Sequence, residues 1–171
     1  MNDLLKQIEN NRKIICVTGP LASGKTVTTS VLANELKASL NAELYSNYQL
    51  ENSKDVSRLQ EENLDSDQYK IICLDEIEYV LHFSPEQFDE LLEDSLDKKV
   101  ILILESFGMD RLPDYLRKQV DIHLAVSRDE QSPSSIQLNG VNISFKQAIE
   151  LEHFQLAFGT PSFLLNAQLS S

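Results

Sequence analysis

The sequence predicts an α/β fold: a three-layer sandwich on a central, mainly parallel sheet, with a β-hairpin towards the C-terminal end. Three observations support this class. Apolar strand patterns alternate with helical patterns, a glycine-rich loop separates the first strand from the first long helix, and Asn139-Gly140 lies between two short strand patterns. Alternating strands and helices favour parallel pairing, and an Asn-Gly pair favours a tight hairpin turn.

The glycine-rich loop is the most specific motif in the chain. Residues 19–26 fit G-x-x-x-x-G-K-[ST] at every fixed position, after a β-branched run at residues 13–18 and before apolar residues at helical spacing. This pattern lets backbone N–H groups converge on an anion at a helix N-terminus. The residues predicted to contact a nucleotide are Gly19, Pro20, Leu21, Ala22, Ser23, Gly24, Lys25, Thr26 and Val27.

Two of these residues have predicted chemical roles. Lys25 is expected to reach the β- and γ-phosphates, and the Thr26 hydroxyl is expected to hold Mg²⁺. The alternative is a glycine turn with an incidental lysine. The strand before the loop and the helix after it favour the phosphate site.

A pair of acidic residues forms the second predicted element of the site. Residues 70–74 read as a buried strand that ends in Asp75-Glu76. Asp75 is expected to hold Mg²⁺, and Glu76 to orient and polarise the attacking water. Acids that cap the next helix are the alternative, because the positive end of a helix dipole attracts carboxylates.

The elements between the two motifs indicate the class of nucleotide enzyme. A strand is predicted over residues 42–46 and a polar helical segment around residues 55–63, so Asp75 ends the third strand in sequence. Asn47, and not an aspartate, follows the second strand. This arrangement resembles the additional-strand, catalytic-glutamate division of P-loop NTPases, whose members hydrolyse ATP.

The second half of the chain continues the alternation. Ser84-Pro85-Glu86-Gln87 predicts a helix start with a capping box. A continuous buried strand follows Lys99 and ends in Glu105-Ser106. A helix is predicted over residues 112–118, a fifth strand over 120–126 with His123 in the core, a hairpin over 136–143 and a last helix over 145–154.

Composition is consistent with one domain over residues 1–171, with a core at about 13–126 and a C-terminal hairpin and helix at about 134–160. The chain is 42% apolar, and no apolar run approaches the length of a membrane span. Its start reads as a short amphipathic helix and not as a signal peptide. Cys16 and Cys73 fall in predicted strands, which favours buried thiols in a reducing cytoplasm. The net charge of −12 disfavours broad contact with polyanions.

The chain also resembles a narrower group, the HerA/FtsK-type ATPases, especially viral and plasmid DNA-packaging members and zonular-occludens-toxin-like phage ATPases. Residues 45–48, Asp75-Glu76 and residues 112–121 carry the resemblance, which covers most of residues 13–126. The family usually ends the fourth strand with a polar residue that senses the γ-phosphate. Glu105-Ser106 stands there in this chain. Ser106 is the better sensor candidate, because a carboxylate that faces a phosphate is repelled unless it is protonated or turned away.

The resemblance implies an Mg²⁺-dependent ATPase that forms a homo-oligomeric ring and moves double-stranded DNA, without a membrane span of its own. Its expected location is the cytoplasm, or the virion if the protein is viral. Arg111 and Arg117 are the candidates for an arginine that reaches the nucleotide of a neighbouring subunit. Of the two, Arg117 is the one predicted to be catalytic. An ion pair of Arg117 with Asp114 or Asp121 is the alternative.

A second class of function stays open. It is a monomeric or dimeric NTP-dependent switch, or a small phosphotransferase, that acts on a protein or a small molecule. Net charge favours the switch, and the strand pattern favours the motor. Glu76 favours hydrolysis over transfer, because a kinase must exclude the water that this residue would orient.

Overall fold

The computed structural model describes residues 2–61, 67–128, 135–138 and 141–144. The strands of these residues form one sheet, in the order β3-β2-β4-β5-β1-β6-β7-β8. The strands are β1 (Ile14–Thr18), β2 (Glu43–Ser46), β3 (Lys54–Asp55), β4 (Lys70–Leu74), β5 (Val100–Ser106), β6 (Ile122–Arg128), β7 (Ser135–Leu138) and β8 (Val141–Ser144). The α-helices are α1 (Asn2–Glu9), α2 (Lys25–Leu40), α3 (Ile77–Phe83), α4 (Pro85–Asp97) and α5 (Asp114–Arg117).

Strand β5 separates the phosphate-loop strand from the strand that ends before Asp75. It pairs in parallel with β1 on one side and with β4 on the other. In sequence, β2 lies between the two motifs as predicted, but the short strand β3 also precedes β4, so Asp75 follows the fourth strand and not the third. Because parallel strands point the same way, the loop after β1 and the acids after β4 and at the end of β5 meet at one edge of the sheet.

Alternation along the buried strands divides the core into two layers. One layer packs Ile15, Val17, Ile101 and Ile103 against α2, where Leu32, Ala33 and Leu36 are buried. The other packs Cys16, Leu102 and Leu104 against α3 and α4 through Ile77, Val80 and Phe88. Successive strand residues point to opposite faces, so the predicted three-layer sandwich is confirmed.

Helix α4 begins at Pro85, as predicted, but its capping differs from the prediction. Ser84 occupies the N-cap position and makes no side-chain cap hydrogen bond. Proline at the first helical position lacks the N–H that would otherwise need a partner. The predicted capping box is wrong here, although the predicted start of the helix is right.

The outer strands account for the other differences. The hairpin is confirmed as antiparallel pairing of β7 with β8, beside β6; its predicted turn, residues 139–140, and the predicted helix at 145–154 lie outside the described residues. A two-residue strand, β3, and a 3₁₀-helix, Val56–Glu61, replace the predicted helical segment. His123 is exposed on β6, so its predicted place in the core is wrong.

Among the helices of the described ranges, none combines the length and the apolar content required to cross a bilayer.

Candidate active site

The loop after β1 has the backbone of an anion-binding turn. Ala22 and Gly24 both have positive φ, 59° and 101°, and Gly24 is the N-cap of α2. A Cβ at Gly19 would overlap the Val126 carbonyl oxygen and lie 2.5 Å from Ser23 Oγ. The loop can therefore pack this closely only with glycine at position 19, while Gly24 adopts a conformation that other residues rarely tolerate.

One buried side chain of the loop has an unsatisfied hydroxyl group among the described residues. Ser23 is 2% exposed, and its Oγ has no hydrogen-bond partner among the described residues. A buried hydroxyl without a partner is unfavourable. A phosphate oxygen is a suitable acceptor for it, so the loop fits a nucleotide phosphate.

Lys25 lies at the start of α2 and turns back onto the loop. Its Nζ donates hydrogen bonds to the carbonyl oxygens of Gly19 at 2.8 Å and Pro20 at 3.1 Å. The ammonium also lies 4.9 Å from the centroid of the Phe107 ring, a cation–π contact. These two hydrogen bonds use two of the three N–H donors of the ammonium, so the carbonyl oxygens compete with a phosphate for Lys25.

Thr26 connects the loop to the acidic end of β5. Its Oγ1 donates a hydrogen bond to Glu105 Oε2 at 3.1 Å, and the buried Tyr48 hydroxyl donates to Glu105 Oε1 at 3.2 Å. Asp75 lies beside this pair, close enough for its charge to raise the pKa of Glu105. A hydroxyl and two carboxyl groups are oxygen donors of the type that Mg²⁺ prefers. Thr26 and Asp75 therefore fit the predicted metal site.

Glu105 is fully buried, and burial, followed by the nearby charge of Asp75, raises its pKa to about 8. The raised pKa favours the protonated, uncharged form of Glu105. The sequence argument against Glu105, that a carboxylate would repel phosphate, applies only to the charged form. The side chain faces Thr26, on the α2 side of the sheet.

The side-chain amide of Asn47 holds the backbone of Asp75 in place. Asn47 Nδ2 donates to the Asp75 carbonyl oxygen at 3.1 Å, and the Asp75 N–H donates to Asn47 Oδ1 at 2.8 Å. Burial raises the pKa of the Asp75 carboxyl, whereas its hydrogen bond with the Glu76 N–H, the charge of Lys25 and a hydrogen bond with Glu105 lower it. Asn47, which the sequence marks only as a departure from aspartate, thus joins the tips of β2 and β4.

Glu76 occupies the N-cap of α3 with a left-handed backbone, φ 48° and ψ 55°. Such a conformation is costly for a residue other than glycine and is concentrated at functional sites. Burial, Asp75 and Glu78 raise the pKa of its carboxyl, and Lys25 lowers it. A raised pKa makes the carboxylate a stronger base towards water.

Ser106 faces the opposite side of the sheet from Glu105. Its Oγ donates to Glu78 Oε1 at 2.7 Å and lies 2.9 Å from the Gly108 carbonyl oxygen. Glu78 is the site residue that sequence reasoning missed. The available signal was the density of acids, three within the four residues that begin at Asp75.

Arg117 lies on α5, and its contacts are local. Its Nη2 donates to Asp114 Oδ1 at 2.8 Å and to the Leu112 carbonyl oxygen at 3.2 Å. Arg117 therefore forms the ion pair with Asp114 that was the alternative to a catalytic role. A role towards a neighbouring subunit stays a prediction, because it concerns a contact between two chains.

Three comparisons relate this chain to known proteins. The model of the family "ATPase family associated with various cellular activities (AAA)" matches residues 15–128. The chain is 33% identical over 95 residues to a tRNA dimethylallyltransferase of Malacoplasma penetrans (strain HF-2), which is 53% of this chain and 31% of that protein. It thus spans about a third of the length of that curated relative.

Two solved structures are similar in fold. The FIGL-1 AAA domain in complex with ADP matches 67% of this chain and 44% of its own, at 17% identity and a TM-score of 0.47. EssC (ATPases 2 and 3) from Geobacillus thermodenitrificans matches 77% and 38%, at 12% identity and a TM-score of 0.49.

The family match covers the loop, Asp75-Glu76 and the β5 tip, and it supports ATP as the nucleotide. The narrower division suggested by the sequence, with its viral packaging members, is not distinguished by these comparisons. The match extends over more than half of the 171 residues. The chain therefore belongs to the AAA family of P-loop ATPases.

Proposed function

We propose that this chain hydrolyses ATP, with Mg²⁺ held by Thr26 and Asp75. One observation carries the proposal: the loop with Lys25 follows β1, and Asp75 and Glu76 follow β4, at the same edge of the parallel sheet, close enough for the Lys25 charge to act on both carboxyl groups. The predicted phosphate-binding cation, the metal-binding carboxylate and the candidate base thus converge at one end of the sheet. This set provides phosphate-binding, metal-binding and water-orienting groups of the kind that phosphoryl transfer to water uses.

Each residue has a distinct task in the proposed reaction. The loop and Lys25 bind the phosphates, and Thr26 and Asp75 hold the metal. The bound metal would neutralise charge that develops on the phosphate oxygens. Glu76 accepts a proton from the water whose oxygen bonds to the γ-phosphorus, while the bond from that phosphorus to the leaving oxygen of ADP breaks.

Three substitutions test this division of tasks. Lys25→Ala should abolish hydrolysis and weaken ATP binding, because it removes the positive charge of the loop. Glu76→Gln should bind Mg-ATP but hydrolyse it about a hundredfold or more slowly, which is the range for loss of a general base. Asp75→Ala should lose the Mg²⁺ dependence of binding.

Phosphate release and binding of a fluorescent ATP analogue measure the two effects separately. Glu86→Gln is the matched control, since it makes the same chemical change at an exposed position in the first turn of α4. Full turnover by folded Lys25→Ala would refute the phosphate-loop assignment. Equal loss of binding in the Glu76 and Asp75 variants would refute the separate roles.

We further propose that the ATPase is the subunit of a cytoplasmic or virion-associated ring that moves double-stranded DNA. The resemblance carried by residues 45–48 and 112–121 supports this role. A few Lys or Arg contacts to phosphates would make DNA stimulation of the ATPase fall steeply with salt. The mass in solution with ATP and DNA, and ATPase rates across a salt series, test the proposal.

Arg117 and Ser106 extend the same test. Arg117→Ala mixed with Lys25→Ala should recover part of the activity if subunits meet at the nucleotide, because each variant supplies what the other lacks. Ser106→Ala should lower the stimulated rate more than ATP binding.

A protein-directed switch is the second candidate, and the net charge of −12 favours it. An acidic surface repels nucleic acid at long range and suits a basic protein partner. A protein that hydrolyses ATP, stays monomeric or dimeric and shows no DNA stimulation at low salt would favour this candidate over the motor.

A further inference from the structure

Glu78 joins helix α3 to the end of β5 through one oxygen atom. Its Oε1 accepts the Ser106 hydroxyl at 2.7 Å and the Phe107 N–H at 3.0 Å. Two donors from consecutive residues thus meet the same acceptor. Hydrogen bonds to a charged acceptor are shorter and stronger than neutral ones, so this pair fixes the chain where β5 ends.

Phe107 continues this connection to the phosphate loop. Its ring is 40% exposed and lies 4.9 Å, from centroid to Nζ, from the Lys25 ammonium. The backbone of Phe107 is held by Glu78, while its ring contacts Lys25. The position of the ring over the ammonium therefore depends on the Glu78 carboxylate.

Lys25 needs such a support. Its other contacts within the described residues are hydrogen bonds to the Gly19 and Pro20 carbonyl oxygens, which compete with a phosphate for the N–H donors of the ammonium. A long lysine side chain has many rotamers, and fixing it before the ligand arrives reduces the entropy lost on binding. The aromatic face can stay in contact with the ammonium while the carbonyl oxygens are released.

We propose that Glu78 is a positioning residue for ATP binding, which holds Lys25 in place through Phe107. This inference rests on the proposed nucleotide site, but not on hydrolysis. Glu78 acts as a hydrogen-bond acceptor here, and its charge is not required as a base. That distinction separates it from Glu76.

The experiment measures the affinity of the full chain for a fluorescent ATP analogue with Mg²⁺. Glu78→Ala and Phe107→Leu should each weaken binding roughly tenfold, the range expected from a partly desolvated cation–π contact. Glu78→Gln keeps an acceptor oxygen and should bind within about threefold of the wild type, because neutral acceptors are weaker but have the same geometry. Glu86→Ala on α4 is the matched control.

The double variant Glu78→Ala with Phe107→Leu should bind no more weakly than either single variant. Both substitutions break the same connection, the one from Glu78 through Phe107 to Lys25. Additive losses would overturn the proposal. Binding by Glu78→Ala equal to the wild type would also overturn it, as would a Glu78→Gln variant as weak as Glu78→Ala. If Glu78→Ala does not fold, wild-type affinity in Phe107→Leu overturns it alone.

The readout distinguishes this inference from the proposed function. A wild-type chain that binds ATP but does not hydrolyse it would refute hydrolysis and leave the Glu78 comparison valid. A chain that binds no ATP would refute both.

Discussion

Replacement of Glu105 by glutamine should change how the stability of the nucleotide-free protein depends on pH. Glu105 is fully buried, and its pKa is raised from 4.5 to about 8 by burial and by Asp75. The folded state therefore binds a proton that the unfolded chain releases near pH 4.5. The resulting stabilisation is fully present below that pH and is lost as the pH rises through about 8.

The size of the effect follows from proton linkage. With a folded pKa of about 8 for Glu105, the free energy of unfolding should fall by roughly 1 to 2 kcal/mol between about pH 7 and about pH 9. Glu105→Gln removes the titrating group and should flatten this decline. The glutamine NH₂ cannot accept a hydrogen bond from Thr26, so a constant loss of about 1 kcal/mol is expected across the range.

Urea unfolding of both proteins in EDTA, at several pH values between neutral and about pH 9, measures the difference. Tyr48 lies against Glu105, but its own pKa is raised well above 10, so it does not titrate in this window. Parallel stability curves for the wild type and Glu105→Gln would refute the argument, because Glu105 would then titrate outside this window.

Three further outcomes follow from the geometry. Gly19→Ala should lower stability by about 1 to 3 kcal/mol and prevent ATP binding, because the new Cβ overlaps the Val126 carbonyl oxygen; thermal unfolding and ATP titration measure this. Asn47→Ala should cost about 1 to 3 kcal/mol in urea unfolding, since it leaves the Asp75 N–H and carbonyl without their partner; no loss would show that solvent replaces the amide. Cys16 is buried with a pKa raised to about 12, so iodoacetamide at neutral pH should label it only after unfolding, as mass spectrometry would show.

The fold could be predicted where local pattern and tertiary environment agree. The strands β1, β4 and β5 are buried on both faces, and their continuous apolar runs indicate this directly. The pattern failed at β3 and the following 3₁₀-helix, where only two residues pair and polar residues suit a helix equally well. So short a strand forms only by pairing with β2, and the residue pattern around β3 does not show this pairing.

The site was predictable to the extent that it is encoded in motifs. The loop has a motif of fixed spacing, Asp75-Glu76 ends a recognisable buried strand, and the structure brings the two to the same edge of the sheet. The sequence did not reveal that Glu105 faces Thr26, because this depends on which strand residues point towards α2. Nor did it indicate Glu78, whose partner Ser106 lies 28 positions away on another strand.

The pleat of β5 has a consequence for insertions and deletions. Glu105 and Ser106 are adjacent in sequence but serve opposite sides of the sheet, the first beside Thr26 and the second beside Glu78. A slip of one residue in the register of this strand would exchange their sides. A slip in one direction would place the hydroxyl at the proposed metal site, and a slip in the other would force Glu105 against the carboxylate of Glu78. Changes in length within β5 should therefore disable the site even where the apolar core could absorb them.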